Sequence, residues 1–362
     1  MSERATAFHA NHWEGVLFVT GGGTPFLAEM ISTPGASGTV LDAQVPYAER
    51  ALTELLSGKP EQACSEATAR QLAMAAFTRA KSLSDGSHLF GLGCTAGLAT
   101  NRPKKGIHRA HWAIQTATTT TTFYAEFNSD RAGEEAELND HLWSSLQTVL
   151  EAEDIDHPHV ANHAAPEPHL HLLWDEAPTH ITLHAAEHKL LLPGSFNPAH
   201  DGHHSMLAFA ETITGLPGAF ELTVKNADKP SLDFITLNER VAALAGKPLV
   251  LTNVSTYVEK ARLFPGATFV LGIDTITRIA DPRFYAHRED LVAAAIAEMA
   301  ALNTRFLVFG RKVGEAFLTL DEVVLPGDLL ALCMGVAEEE YRLDLSSSDL
   351  RASSELPEDR DS

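Results

Sequence analysis

At 362 residues, 44% hydrophobic and 21% charged, the chain has the make-up of a globular protein with room for two domains, each able to bury its own core. A formal net charge of -21 excludes broad binding to nucleic acid or to anionic membranes, which need a basic surface, so a phosphate-bearing ligand must meet a local positive site. Cys64, Cys94 and Cys333 lack Cys-x-x-Cys spacing, which argues against a disulfide framework and a thiolate zinc site and fits a reducing cytoplasm.

The N-terminal stretch 1–15 carries Glu3, Glu14, His9 and His12 and does not read as a signal peptide, and no apolar run approaches the roughly 20 residues that cross a bilayer. A strand is predicted at 15–19. The alanine-rich periodic run 67–81 predicts a helix, with Ser65 and Thr68 near its start. Strands follow at 88–92 and 107–116, and the threonine-rich 116–122 reads as an extended edge or turn. Residues 1–153 form a first α/β domain in this reading.

The join, 154–188, holds eight of the 18 histidines. A His-x-His pair on a strand puts both rings on one face, so His157/His159 and His169/His171 could form a metal cluster; the plainer reading, adopted here, is a solvated linker or connecting strands without metal.

Beyond it, strand-like runs at 189–192, 220–224, 248–252, 268–273 and 305–309 alternate with helical patterns at 203–214, 232–245, 258–263 and 288–302. This alternation predicts a doubly wound parallel sheet over 189–352, followed by an acidic tail, 353–362.

At the carboxyl end of the first of these strands stands Leu190-Leu191-Leu192-Pro193-Gly194-Ser195-Phe196-Asn197-Pro198-Ala199-His200-Asp201-Gly202-His203-His204. A glycine turn lets backbone amides approach phosphate oxygens, and the first turn of a helix offers unpaired N–H groups and the positive dipole end. His200 and His203, three residues apart, can face the same phosphate. Gly194-Ser195-Phe196-Asn197-Pro198-x-His200-x-Gly202-His203 resembles the signature of the nucleotidyltransferases related to nicotinate and nicotinamide mononucleotide adenylyltransferases. Near the far end, Leu345-Ser346-Ser347-Ser348-Asp349-Leu350-Arg351 is similar to the same family's Ser-Ser-Thr-x-Ile-Arg element.

The resemblance implies transfer of a nucleoside monophosphate from ATP to a phosphate acceptor, with pyrophosphate released and no protein nucleophile. His200 and His203 are then the catalytic pair on the triphosphate. Gly194, Ser195 and Phe196 belong to the backbone cradle, and Ser347, Ser348 and Arg351 hold the β- and γ-phosphates. Asp274, in a Gly-x-Asp element, is placed near the adenosine and acceptor, with a helix N-cap as its structural alternative. Lys229, with Lys225 as competitor, and Arg311 are substrate-binding candidates; Arg278 and Lys312 are assigned to solvent. Mg2+ is implied mainly through the nucleotide, since it favours phosphate oxygens and water. Nicotinate or nicotinamide mononucleotide is the first-choice acceptor. Another acceptor such as phosphopantetheine, CTP in place of ATP, and a non-catalytic nucleotide-binding regulator are the alternatives, and homo-oligomerisation is left open.

The first half carries a second resemblance. Val19-Thr20-Gly21-Gly22, Thr33-Pro34-Gly35-Ala36-Ser37 and Cys64-Ser65-Glu66-Ala67-Thr68 are similar, in order, to patches of the C-terminal domain of competence-damage-inducible proteins, whose active members are nicotinamide-nucleotide amidases. Gly91-Leu92-Gly93-Cys94-Thr95-Ala96-Gly97 then sits where that family has its glycine-rich phosphate or substrate loop. Phe18 stands in place of the family's serine, and a phenyl ring can neither attack a carboxamide nor position water, so amidase activity is not expected. Thr20, Gly21 and Gly22, with the basic Arg102, Lys105 and Arg109, remain as candidates for holding a phosphate-bearing ligand.

Overall fold

The computed structural model describes residues 2–101, 106–152, 154–184, 187–225, 229–313 and 316–342. The chain divides into two compact units, Met1–His171 with Asp228–Asn238, and Leu172–Ala227 with Glu239–Ser362. Both are of the α/β class, and among the described residues no helix is long and apolar enough to cross a membrane.

In the first unit the chain runs through α1 (Glu3–His9), β1 (Glu14–Thr20), α2 (Thr24–Ser32), β2 (Val40–Gln44), α3 (Glu49–Leu55), α4 (Glu66–Leu83), β3 (Leu89–Gly97), β4 (His108–Thr116), β5 (Thr120–Phe127), α5 (Arg131–Glu151) and β6 (Val160–Ala164). The sheet order is β2-β1-β3-β4-β5-β6, parallel through the first three strands and antiparallel from β3 onward. Alternation along β1 sends Leu17 and Val19 into a core with Phe8, Phe26, Trp112, Phe123 and Trp143. Leu138, Leu142, Leu146 and Leu150 recur at four-residue spacing along α5 and press that helix onto the same core, while its N-cap Asp130 accepts from the Gly133 amide. The threonine run 116–122 is a hairpin: β4 ends at Thr116, and the Thr116 hydroxyl accepts from the amides of Thr118 and Thr119 before β5 begins.

The opposite face of the sheet is covered by α4, and here the glycine-rich run takes a role unlike the loop expected for it. It is β3, an inner strand. A β-carbon on Gly91 would lie 2.2 Å from the Ala73 carbonyl oxygen, and one on Gly93 would lie 2.3 Å from the Ala73 nitrogen and 2.4 Å from the Ala69 oxygen. These glycines let the backbone of α4 rest on the backbone of β3, so their function is helix-on-strand contact.

The second unit contains β7 (His180–Leu183), β8 (Leu190–Pro193), α6 (Asp201–Thr214), β9 (Gly218–Thr223), the second half of α7 (Phe234–Ala243, whose residues up to Asn238 belong to the first unit), β10 (Leu249–Thr252), α8 (Tyr257–Leu263), β11 (Thr268–Gly272), α9 (Ile273–Ile279), α10 (Glu289–Ala301), β12 (Arg305–Phe309), the hairpin strands β13 (Arg311–Val313) and β14 (Ala316–Leu318), α11 (Gly327–Leu330) and β15 (Cys333–Val336). Its main sheet has the order β15-β12-β11-β8-β9-β10-β7 and is parallel except for the edge strand β7. Winding proceeds from β8 through β9 and β10 to one side, then returns to β11 and β12 on the other. The reversal falls between β8 and β11, and their carboxyl ends open the crevice where such sheets receive ligands. On one face, buried Glu221 of β9 pairs with buried Lys260 of α8 (2.5 Å) and accepts from the Thr252 hydroxyl. The histidine-rich join contributes β6 and β7, one edge strand to each sheet.

Gly93→Ala should lower the stability of the protein by about 2 kcal/mol, the cost of forcing a methyl group against a fixed backbone. Urea denaturation followed by circular dichroism measures this, and an unchanged midpoint would return Gly93 to a ligand-facing role.

Candidate functional site

Pro193 closes β8, and the chain then turns through Gly194 to Ala199 before α6 begins. The Gly194 amide donates to the Glu221 carbonyl (3.0 Å), which extends the β8–β9 ladder by one bond, so this N–H is already committed. Phe196 adopts a left-handed conformation (φ 45°) that costs roughly 1–2 kcal/mol. Burial of its ring, worth roughly 1.5–3 kcal/mol, offsets this. The ring packs edge-on against His203 (5.1 Å) and Phe220 (5.2 Å) and fills the space above Gly194, where a β-carbon would lie 2.6 Å from it. Phe196 is therefore the floor under the histidines. Ser195 is exposed, and the Asn197–Pro198 bond is cis.

The start of α6 differs from the open helix terminus expected from the sequence. His200 is the N-cap. Its Nδ1 accepts from the Gly202 amide (3.1 Å), its own amide donates to Nδ1 of His203 (3.3 Å), and its carbonyl accepts from the His203 amide (2.9 Å). Imidazole nitrogens thus take the place that a serine or aspartate oxygen fills in an ordinary capping box. Each ring accepts at Nδ1 and so carries its proton at Nε2 when neutral, which makes both Nε2–H groups donors. The rings lie 3.8 Å apart between centroids at a tilt of 33°. Burial, then the neighbouring His200 and His204, push His203 down to about 4; burial also lowers His200, with Asp201 working against it and His204 adding to it. At neutral pH the site presents two uncharged imidazole donors on a helix front.

Asp274 and Arg311 form an ion pair beyond the ends of β11 and β12, both more than half exposed. Asp274 is not the N-cap of α9: that position belongs to Gly272, and Asp274 lies in the first turn. Arg311 is thus matched to a carboxylate of the protein, where the sequence reading made it a substrate-binding candidate. Arg278 and Lys312 are exposed, and Arg278 lies over the ring of Phe284 (4.9 Å). Lys229 is exposed, belongs to the first unit, and has its Cε 3.7 Å from where a β-carbon on Gly58 would be. Lys225 donates to the Asp175 carbonyl (2.6 Å). Ser347, Ser348 and Arg351 lie outside the described residues.

In the first unit, the Thr20-Gly21-Gly22 turn is filled by the protein's own groups. The Thr20 hydroxyl donates to the Pro46 carbonyl (3.0 Å), Arg131 donates to the Gly21 carbonyl (3.0 Å), and the Gly23 amide donates to Glu135 (2.8 Å). Gly21 is left-handed (φ 77°), and a β-carbon on it would meet the Ala96 oxygen at 1.9 Å; one on Gly22 would meet Leu98 at 2.7 Å. Close backbone approach at these glycines therefore serves β3 and the chain just after it. Arg109 is half-buried on β4, facing Gly97 and Glu126, and Arg102 and Lys105 lie outside the described residues. Phe18 is buried within β1.

The His-x-His pairs are not on strands: His157 and His159 precede β6, and His169 and His171 lie in a 3-10 helix, Pro168–Trp174. His159 lies 4.1 Å from His141 and 5.6 Å from His157, beside Trp112, and His157 packs edge-on against Phe123. Ser144 takes up Nε2 of His157, and the Tyr124 carbonyl takes up Nδ1 of His159. Among the described residues no group of three or more His, Cys, Asp or Glu side chains is placed to hold a metal ion.

Sequence reasoning passed over several residues that shape these sites. Buried Glu134 holds the Ala99 amide (2.6 Å) and His108 (2.6 Å), and those bonds outweigh its burial and lower its pKa. His204 packs on Phe220 (5.2 Å), and Tyr341 reaches the first turn of α6. The run of three histidines at 200–204 was a signal for His204; Tyr341 had none in its local pattern.

No protein-family profile and no curated protein matches the chain. Among solved structures it is similar to the competence/damage inducible protein CihA of Agrobacterium tumefaciens, with 18% identity over 39% of this chain and 88% of that one at a TM-score of 0.32. It is similar also to a competence-damaged protein (CinA) superfamily protein of Escherichia coli (15%, 40% and 86%, TM-score 0.34) and to competence damage-inducible protein A (ComA) of Klebsiella pneumoniae (16%, 41% and 94%, TM-score 0.34).

Because His203 has a pKa lowered in the folded state, folding binds fewer protons there, and stability falls as pH drops from the unfolded value of about 6.5 toward about 4. His203→Gln removes that dependence. The wild-type stability relative to this variant should decline across that interval in thermal melts, and a pH-independent difference would contradict the burial of His203.

Proposed function

We propose that the second unit is a nucleotidyltransferase that transfers a nucleoside monophosphate from ATP to a phosphate acceptor, nicotinate or nicotinamide mononucleotide in the first instance. The observation that carries this reading is the pair of Nε2–H donors held by the cap of α6, beside the reversal of the sheet. An acceptor phosphate oxygen attacks the α-phosphorus as the bond to the β-phosphate bridging oxygen breaks, and pyrophosphate leaves with the electron pair. His200 and His203 donate to the phosphoryl oxygens on which charge builds, in a rigid arrangement that needs no reorganisation. Ser195 lines the turn, and Ser347, Ser348 and Arg351 take the outer phosphates. The donor set at the cap suits phosphate oxygen better than a bare Mg2+, which prefers oxygen ligands. Mg2+ would enter on the triphosphate and neutralise its charge.

The first unit is read as an amidase-like domain without amidase activity, since buried Phe18 offers no nucleophile. Its resemblance to competence-damage-inducible proteins supports a place in nicotinamide-nucleotide metabolism for the whole chain, and a cytoplasmic setting goes with that reading. A second reading, a regulator that binds nucleotide without turnover, draws on the same Phe18 substitution, which removes a catalytic group from one unit.

Pyrophosphate release, screened with ATP or CTP against a panel of phosphate acceptors, separates these readings. His203→Ala should depress turnover by on the order of 10²-fold or more while circular dichroism shows a retained fold. Equal turnover in wild type and variant would overturn the role of His203, and binding without turnover for every pair would favour the regulator.

A further inference from the structure

We infer that His141, His157 and His159 form an acid-operated clasp that holds the approach to edge strand β6 against α5 and β5, closed while the rings are uncharged and opening as they take up protons. The clasp lies wholly within the first unit and stands apart from the nucleotidyl-transfer reading.

The hydrogen bonds fix where the ring protons sit. The Ser144 hydroxyl donates to the His141 carbonyl (3.1 Å), so its oxygen accepts from Nε2–H of His157 (2.9 Å), while Nδ1 of His157 accepts from the His159 amide (3.3 Å). His159 donates from Nδ1 to the Tyr124 carbonyl (3.2 Å), and the Tyr124 amide donates back to the His159 carbonyl (2.9 Å). A proton added to Nδ1 of His157 would set N–H against N–H and displace the His159 amide. His159 has only Nε2 left to take one. Nε2 of His141 is buried, lacks a hydrogen-bond partner among the described residues and lies 3.6 Å from the Glu137 carboxylate. The His141 and His159 rings are 4.1 Å apart between centroids, and those of His157 and His159 are 5.6 Å apart.

Charge is therefore poorly housed here. Toward the three rings β4 and β5 present Trp112, parallel to His141 (6.0 Å, 4°), Phe123, edge-on to His157 (5.3 Å, 87°), Phe127 and the Tyr124 carbonyl. From α5, Glu137 and Asp140 favour a charge on His141, but burial and the neighbouring His159 prevail and lower its pKa; burial, then His159 and His141, lower His157 as well. Glu137 can match one charge, and a second must sit beside the first. The same histidines carry the bonds that begin β6: the His157 carbonyl accepts from the Val160 amide (3.2 Å), and Val160 stands opposite Phe123 in the ladder. A histidine whose pKa is lowered by folding contributes stability at neutral pH that is lost as pH falls below the unfolded value of about 6.5. Acid thus acts on the one stretch of chain that these rings fasten.

Hydrogen exchange of the full chain tests this, read by mass spectrometry at about pH 7.5 and about pH 5.5, either side of the ordinary histidine pKa, and corrected for the intrinsic pH dependence of exchange. Protection of 157–164 relative to the inner strand β3 should fall at the lower pH by about tenfold for each imidazole that charges on opening. His141→Gln, His157→Gln and His159→Asn combined replace the rings by side-chain amides that cannot titrate, and should make the relative protection the same at both pH values. Unchanged relative protection in the wild type overturns the clasp, and that measurement stands should the triple variant fail to fold. A loss at low pH that persists in the folded triple variant overturns it as well, because the protons then enter elsewhere.

Discussion

Two amide-to-imidazole hydrogen bonds at the front of α6 are the constraint on which the second unit's candidate site depends. A helix terminus must satisfy its first N–H groups, and here the rings of His200 and His203 do so. The consequence is electrostatic as well as geometric. Ring nitrogens that accept from the helix face inward, the protons sit on Nε2, and the positive end of the helix is relayed through the imidazoles. Phe196, itself backed by Phe220, holds His203 from the side, and burial pushes the His203 imidazole down to about 4.

Glycine illustrates how one residue type carries different physics along a single chain. Gly91 and Gly93 sit in an inner strand because a helix backbone lies on them; Gly21 is left-handed against the Ala96 carbonyl; Gly194 makes room for the ring of Phe196. In the sequence all three settings look like the start of a ligand loop. Only packing tells them apart, because the atoms that occupy the missing side chain's space come from residues far along the chain.

The five strands β8 to β12 were legible because a parallel sheet covered on both faces demands short continuous apolar runs, and 305–309 matches β12 residue for residue. The 67–81 helix appeared as α4, extended at both ends. The edge strands β6 and β7 were not legible: half-exposed and rich in histidine, they lack an apolar pattern and gain their state from the sheets they join. α5 had a readable signal in its leucine spacing and Asp130 cap. At the candidate site, the motif marked His200 and His203, which stand at the start of α6 just beyond β8. It could not show that Arg311 would meet Asp274, nor that Tyr341, well over a hundred residues downstream, would touch Gly202.

Glu221 has a main chain and a side chain that answer to different layers. Its carbonyl receives the Gly194 amide at the root of the histidine turn, and its carboxylate is sealed beneath the sheet with Lys260. A neutral replacement at either member of that pair would strand a charge in the interior and loosen β9, and the shift would travel directly to the turn above. A disturbed turn on mutating Lys260 would therefore masquerade as a defect of the turn's own residues, although the amine touches the Glu221 carboxylate and its effect is that of a foundation settling under a doorway.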